Sequence, residues 1–172
     1  MCRTRLLSRI FGDCRGVAAV EFALIGLPLF VMLFGMIETG ILAFTSAVLE
    51  SATREAARQV RTGVVQNAND AASRFRDEFC PNLAATMVCG NFYFDIRTFP
   101  EFAQIVLPPV TYGADGVPQG LQFSPGGANA VIAVRVIHPY RFLTPFIGTL
   151  MGGGANSVPL ISTAIMRAEP FQ

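Results

Sequence analysis

The stretch GVAAVEFALIGLPLFVMLFGMIETG, residues 16–40, decides the architecture of this 172-residue chain. Between residues 17 and 37 the only charged side chain is that of Glu21. About 20 helical residues, each rising 1.5 Å, cross the ~30 Å hydrocarbon core of a bilayer. We therefore predict a transmembrane helix that begins at Val17 and leaves the membrane near Ile37.

The composition of the chain agrees with a membrane protein. Of its residues, 52% are hydrophobic and only 15% are charged, and the mean hydropathy is +0.47. Residues 1–16 carry four arginines and one aspartate, a net charge of +3, so the positive-inside rule makes this segment cytoplasmic. The net charge of the whole chain is +1, which gives no general attraction to nucleic acid, and we expect no nucleic-acid partner.

The helix is predicted to continue beyond the membrane. Residues 46–63, SAVLESATREAARQVRTG, space apolar side chains at helical intervals and end at Gly63, a typical helix stop. Pro28 should kink the helix or loosen one turn. A secretory signal cleaved near residues 45–47 is the alternative, but the apolar run is long for one and the helical pattern continues past that point. The predicted parts are a basic segment, a helix that spans and leaves the membrane, and an exported α+β domain: residues 1–16, 17–63 and 64–172.

A short amphipathic helix is predicted near the start of the exported domain. Residues 67–80, NANDAASRFRDEFC, place Phe75 and Phe79 on one helical face. We expect Asn67 or Asn69 to cap this helix.

The later segments indicate a small antiparallel sheet. Three of them are rich in β-branched and aromatic residues and are predicted strands: residues 91–99, 129–140 and 158–169. Because of two adjacent prolines, residues 103–112 are predicted to form an edge strand or a loop. Residues 112–129 form a Gly/Pro-rich loop. We expect one face of the sheet to pack on the short helix.

A second apolar run, PYRFLTPFIGTLMGG, covers residues 139–153 between the last two predicted strands. Its large side chains fall on one stripe at helical spacing: Phe142, Leu143, Phe146, Ile147 and Leu150. Such a stripe packs in a core or, in a domain tethered beside a bilayer, contacts lipid or a partner protein.

The four cysteines form two pairs that the membrane would separate. Cys2 and Cys14 lie in the basic segment, whereas Cys80 and Cys89 lie in the exported part. Only the second pair meets an oxidising compartment, so we predict a disulfide there. Closing this loop is worth ~2.5–3 kcal/mol on the loop-entropy model. A metal site is the alternative, but the only histidine, His138, is far away in the sequence.

No catalytic constellation is visible in the sequence. His138 has no second histidine and no serine or carboxylate spaced to make a triad, and it precedes Pro139 at the end of a predicted strand. We expect no enzyme, no catalytic residues, no metal and no cofactor.

Residues 15–30, RGVAAVEFALIGLPLF, resemble the processing site of type IV prepilin-like proteins. In that family a short basic leader ends in glycine, and a prepilin peptidase cuts after the glycine on the cytoplasmic face. The retained apolar helix has glutamate as its fifth residue. The resemblance implies that Gly16 is the last leader residue and Val17 the new N-terminus, with Glu21 and Phe22 acting in assembly.

The spacing of Glu21 has a physical rationale. Cleavage would free a cationic α-amine at Val17, one helical turn from the Glu21 carboxylate. In a bundle, Glu21 of one subunit would meet the amine of its neighbour, which favours assembly because an unpaired carboxylate in a membrane costs ~2.5–3.5 kcal/mol. The alternative is an interfacial carboxylate among the lipid headgroups.

The wider pattern resembles the TadE-like family, minor pilins (pseudopilins) of the bacterial tight-adherence (Tad, Flp-type) pilus. The features are AVEFAL, the proline seven residues after the glutamate, GMIETG and the REAAR helix that ends at glycine, with a looser match in the last 40 residues or so. The major Flp pilin is far shorter, and TadG-like proteins are usually much longer. The resemblance implies a role in pilus assembly or initiation, or in surface adhesion.

The resemblance also implies partners and a location. We expect a single-pass inner-membrane protein with a cytoplasmic N-terminus and an exported C-terminal domain, and incorporation into a pilus. The expected partners are the prepilin peptidase, other minor pilins, the major Flp pilin, the assembly platform and the lipid bilayer. The alternative function is a signal-anchored extracytoplasmic binding domain without processing.

Glu38 allows two interpretations. It lies about 32 Å along the helix from Val17, near the outer interface, where a carboxylate is tolerated. Alternatively it contacts a partner helix, helped by the small residues Gly35 and Gly40.

Overall fold

The computed structural model describes residues 17–152 and 156–171. The predicted leader, with Gly16 and the first cysteine pair, lies outside the described residues. The α-helices in the described part are α1 (Val17–Arg61), α2 (Ala71–Phe79) and α3 (Pro145–Met151). The strands are β1 (Tyr93–Phe99), β2 (Thr111–Tyr112), β3 (Pro118–Gln119), β4 (Val131–Arg141) and β5 (Ser157–Arg167). The predicted α+β class, a long N-terminal helix followed by antiparallel strands and short helices, is confirmed.

The long helix α1 is continuous over 45 residues, with Pro28 in its interior. By length and composition it is able to cross a membrane, and its most apolar window has a mean hydropathy of 2.4. It ends in a Schellman motif, in which the N–H of Val64 donates to the Gln59 carbonyl and that of Gly63 to the Val60 carbonyl. Gly63 has φ +83°, so the predicted glycine stop is confirmed.

The main sheet is antiparallel with strand order β1–β4–β5. An additional segment extends along the other edge of β1: the N–H of Ile96 donates to the Gln122 carbonyl, and the N–H of Ser124 donates to the Ile96 carbonyl, both at 2.8 Å. Residues 103–112, which the sequence predicts as an edge strand or a loop, contribute only two residues to a strand. These two residues form β2, which pairs with β3. The three predicted strands are confirmed. The pairing of residues 122–124 with β1 is not predicted from the sequence.

One face of the sheet packs against α1 and α2. Phe75 and Phe79 each meet the ring of Phe94 edge-on at 5.1 Å between centroids, as predicted for a sheet packed on the short helix. Small alanines on α1 allow its backbone to approach the sheet closely. The fully or almost fully buried core includes Leu49, Ala52, Ala56, Val60, Phe75, Phe79, Ile96, Ile132, Val134 and Val136.

The predicted cap of α2 is wrong. Neither Asn67 nor Asn69 caps the helix; Asp70 does, and its carboxylate accepts hydrogen bonds from the N–H groups of Ala72 (3.0 Å) and Ser73 (3.1 Å). A carboxylate is favoured at this position by the N–H groups of the first turn and by the helix dipole.

The predicted Cys80–Cys89 disulfide is confirmed, with the two Cα atoms 5.6 Å apart. It links the end of α2 to the chain just before β1. The bond therefore fastens the helix that carries Phe75 and Phe79 to the strand it packs against.

A buried ion-pair network organises the second face of the sheet. Asp95 and Arg135 are cross-strand partners; Asp95 has no exposed surface and Arg135 is 6% exposed. Asp95 also accepts hydrogen bonds from Arg97 and from the N–H of Gln122, both at 2.9 Å, while Arg135 donates to the Pro108 carbonyl at 2.7 Å. The network thereby holds the connection between β1 and β4 over the sheet.

Replacing Gly63 with alanine should destabilise the fold. A Cβ there would clash with the ring of Phe171, and the left-handed backbone is unfavourable for alanine. We expect the free energy of unfolding, measured by denaturant titration of the full chain in detergent, to fall by about 1–3 kcal/mol. The control is Gly40→Ala, where the new Cβ meets nothing within 4 Å and helix propensity improves. Equal effects of the two substitutions would contradict the assigned helix end.

Candidate functional site

The membrane half of α1 is uncovered by the rest of the described chain. From residue 17 to residue 37 every residue is exposed except Gly26 and the half-buried Gly35. The second half of the helix, in contrast, buries a full stripe against the sheet. An apolar surface this long is not stable in water, so lipid or other helices must cover it.

Glu21 and Phe22 lie at the start of this uncovered surface. Both are exposed, and the Phe22 ring lies along its own helix, 3.6 Å from where a Cβ of Gly26 would be. Glu21 is four residues, about 6 Å of axial rise, beyond Val17. Within the described residues, no hydrogen bond or ion pair occupies the Glu21 carboxylate.

Glu38 is buried at the other end of the apolar half and is 1% exposed. Tyr140 Oη donates a hydrogen bond to Glu38 Oε1 at 3.0 Å, and the N–H of Leu143 donates to the same oxygen at 2.9 Å. The N–H of Thr144 donates to Oε2 at 3.0 Å. We name this set, Glu38 with Tyr140, Leu143 and Thr144, the Glu38 clasp. It binds the membrane helix to the connection between β4 and β5.

Sequence reasoning missed the clasp because its donors are 102 to 106 residues away from Glu38. Two of them are backbone N–H groups, which carry no residue-type signal. The tyrosine alone could have been noticed, as a polar aromatic residue at the end of an apolar strand.

Tyr140 is held as a neutral donor. Burial, and next its hydrogen bond to Glu38, raise the pKa of Tyr140 to about 12, so the phenol keeps its proton at neutral pH. The Tyr140 phenol contributes its full stabilisation of the fold at pH values below about 10, the pKa of tyrosine in the unfolded chain. This stabilisation is lost as the pH rises through about 12.

The two glycines near Glu38 have different surroundings. A Cβ on Gly35 would lie 3.9 Å from Cδ1 of Ile147, so α3 packs directly on α1 at this level. A Cβ on Gly40 would meet nothing within 4 Å. Contact of these residues with a partner helix stays a prediction, and Gly40 has the open surface for it.

An open groove of about 650 Å³ lies between α1 and the sheet. Its lining residues include Phe44, Met87 and His138. His138 Nδ1 is 3.1 Å from the Asn91 carbonyl oxygen, and its ring stacks on Phe92. In residues 17–152 and 156–171, no group of three or more His, Cys, Asp or Glu is arranged to hold a metal.

The comparison with known families points to the same helix. The family model described as TadE-like protein matches residues 16–58. Residues 16–58 are thus similar to the TadE-like family. No curated protein and no solved structure matches the chain.

The TadE-like match covers a quarter of the chain. It contains every residue considered above for processing, assembly or helix contact, from Gly16 to Gly40. The disulfide, the Asp95 network and the three donors of the clasp lie beyond it. The resemblance to the TadE-like family is therefore confirmed for the helix, and the domain that follows the helix is known from its structure alone.

The clasp makes a prediction about stability. In Glu38→Gln the side-chain amide would direct its own N–H groups at one of the three donors. We expect the free energy of unfolding in detergent to fall by about 1.5–3 kcal/mol, the range for losing a hydrogen bond to a charged group. Glu50→Gln is the matched control, because it removes the same charge from the same helix at an exposed ion pair with Arg54, where little change is expected. Similar losses in both variants would contradict the clasp.

Proposed function

We propose that the chain is a minor pilin, or pseudopilin, of a tight-adherence pilus. It is cut by a prepilin peptidase after Gly16 and acts in pilus assembly or initiation, or in surface adhesion. The observation that carries the proposal is the uncovered apolar half of α1, which begins with Glu21 and lies within the TadE-like segment.

In the proposed assembly step, the apolar surface of α1 exchanges contact with lipid for contact with neighbouring subunits. In the membrane, lipid covers the apolar half of α1. In a fibre, the helices of neighbouring subunits would cover it, and each Glu21 would pair with the α-amine of a neighbour's Val17. Since a carboxylate surrounded by apolar groups is stable only when it is paired, this contact fixes the axial register between subunits.

Processing would control the same step. Before the cut, the basic leader of net charge +3 occupies the end of the helix and holds it at the cytoplasmic face. The cut removes those charges and leaves a single amine beside Glu21. The proposed partners are accordingly the prepilin peptidase, the assembly platform, other minor pilins and the major Flp pilin.

A signal-anchored binding domain is the second candidate. The groove of about 650 Å³ beside α1 favours it, because the groove combines apolar walls with a few polar groups. The state of the N-terminus separates the two candidates, since an anchor keeps its leader and a pilin loses it.

Processing is tested by replacing Gly16 with leucine. The peptidase must fit a residue without a side chain at the cut, so Gly16→Leu should keep its leader, while the wild type isolated from its own membranes should be lighter by about 1.9 kDa, the summed mass of the sixteen leader residues. The readout is the intact mass of the purified chain. Gly40→Leu, in open surroundings, should be processed normally. A full-length mass for the wild type would overturn the processing proposal.

Assembly is tested by Glu21→Gln. The amide keeps the shape of the side chain but loses the charge that would pair with a neighbouring amine. We expect normal insertion and cleavage, several-fold weaker crosslinking to partner pilins, and fewer pili. Glu50→Gln is the control, because it removes a carboxylate from an exposed part of the same helix. Normal crosslinking and piliation in the Glu21 variant would contradict the assigned role.

A further inference from the structure

The segment that contains α3, residues 142–151, is apolar on both of its sides. One side is buried against the protein, with Phe142 and Ile147 only 4% and 7% exposed. The other side faces outward and consists of four exposed side chains: Leu143, Phe146, Leu150 and Met151. No charged residue occurs in residues 142–157. A surface of this kind is unusual on a domain that is bathed only in water.

The connection that carries α3 is held firmly in place. The N–H of Phe142 donates to the Asn156 carbonyl, and Asn156 Nδ2 donates to the Phe142 carbonyl, both at 3.2 Å. Gly148 packs so tightly there that a Cβ would lie 2.8 Å from Cβ of Phe142. The Glu38 clasp and the contact of Ile147 with Gly35 hold the other side against α1. The outward face of α3 therefore has a defined position relative to the membrane helix.

That position coincides with the edge of the membrane. Gly35 and Glu38 are 18 and 21 residues beyond Val17, which corresponds to about 27–32 Å of helical rise. The hydrocarbon core of a bilayer is about 30 Å thick. The exposed apolar surface of α1 extends up to this level and continues without a charged residue onto α3.

We propose that the segment containing α3 is a second membrane contact, in which Leu143, just before the helix, and Phe146, Leu150 and Met151 on the helix insert into the exported-side leaflet beside α1. Continuity with the lipid-facing surface of α1 argues for lipid as the occupant. Arg141, exposed at the end of β4 just before this face, is placed to meet lipid headgroups. The proposal depends on α1 spanning the membrane and does not depend on the pilin function.

The contact would set the height and orientation of the exported domain. A single helix leaves a domain free to rotate about the helix axis and to tilt over the bilayer. A second insertion point beside the helix removes much of this freedom. The groove and the exposed surface of the sheet would then lie at a constant distance from the membrane.

The test measures the environment of α3 in a bilayer. Single cysteines at Leu143, Phe146 and Leu150, in the full chain with Cys2→Ser and Cys14→Ser, are labelled with an environment-sensitive fluorophore and reconstituted at one chain per lipid nanodisc. The matched control is Ile165→Cys, an exposed apolar position on β5. It lies beside Arg58, which is about 30 Å farther along α1 than Glu38.

The expected result is blue-shifted emission at the three labelled positions 143, 146 and 150. Quenching by lipids that carry a nitroxide near the headgroup should be several-fold stronger there than at residue 165, and quenching by iodide weaker. The double substitution Phe146→Asp and Leu150→Asp should return a label at residue 143 to the behaviour of the control. Labels on α3 that behave like the control would overturn the proposal. Labels shielded from both quenchers only when several chains share a disc would overturn it as well, in favour of contact between copies of the chain.

Discussion

One face of α1 packs against the sheet through a stripe of buried apolar residues. Leu49, Ala52, Ala56 and Val60 are each at most 1% exposed, and they fall at intervals of three and four residues, on a single stripe. Because the helix is continuous, fixing its second half on the sheet also fixes the direction in which the apolar first half leaves the domain. The membrane segment is therefore a rigid extension of the domain core and not a flexible tether.

The sequence was sufficient for features that are local or compositional. The apolar run, the glycine stop at Gly63, the strand segments and the Phe75/Phe79 face could all be read from periodicity and turn chemistry. What it could not show were contacts between residues far apart in the chain. Glu38 illustrates this limit, since its position near the interface was predictable but its backbone donors were not. The Asp95–Arg135 pair is visible in the sequence only as charged residues within two apolar strands. The register of β1 on β4 shows that the two opposite charges are cross-strand partners.

Glu38 and Glu21 are carboxylates at opposite ends of the same apolar half-helix, but they differ in burial and in hydrogen-bond partners. Glu38 has three donors from its own chain, so it contributes to the folded monomer. Glu21 is exposed, and under the proposed function its partner belongs to another subunit. A buried carboxylate that is satisfied internally stabilises one position of the domain, whereas one that awaits an external partner favours assembly. The proposed lipid contact of α3 would have to be released or covered again when a subunit leaves the bilayer for a fibre.

In the proposed topology one continuous helix lies in lipid up to about Glu38 and outside the membrane beyond it. This boundary can be located by the reaction of single cysteines with a membrane-impermeant maleimide in spheroplasts, with Cys2 and Cys14 replaced by serine. The positions are exposed ones on either side of the boundary: Leu24, Leu29 and Leu33 below it, and Ala43, Ser46 and Ala47 above it. We predict no reaction at the first three and rapid reaction at the last three without permeabilisation. Equal reaction on both sides of Glu38, or reaction of positions 43, 46 and 47 only after permeabilisation, would show that the helix does not leave the membrane near Glu38.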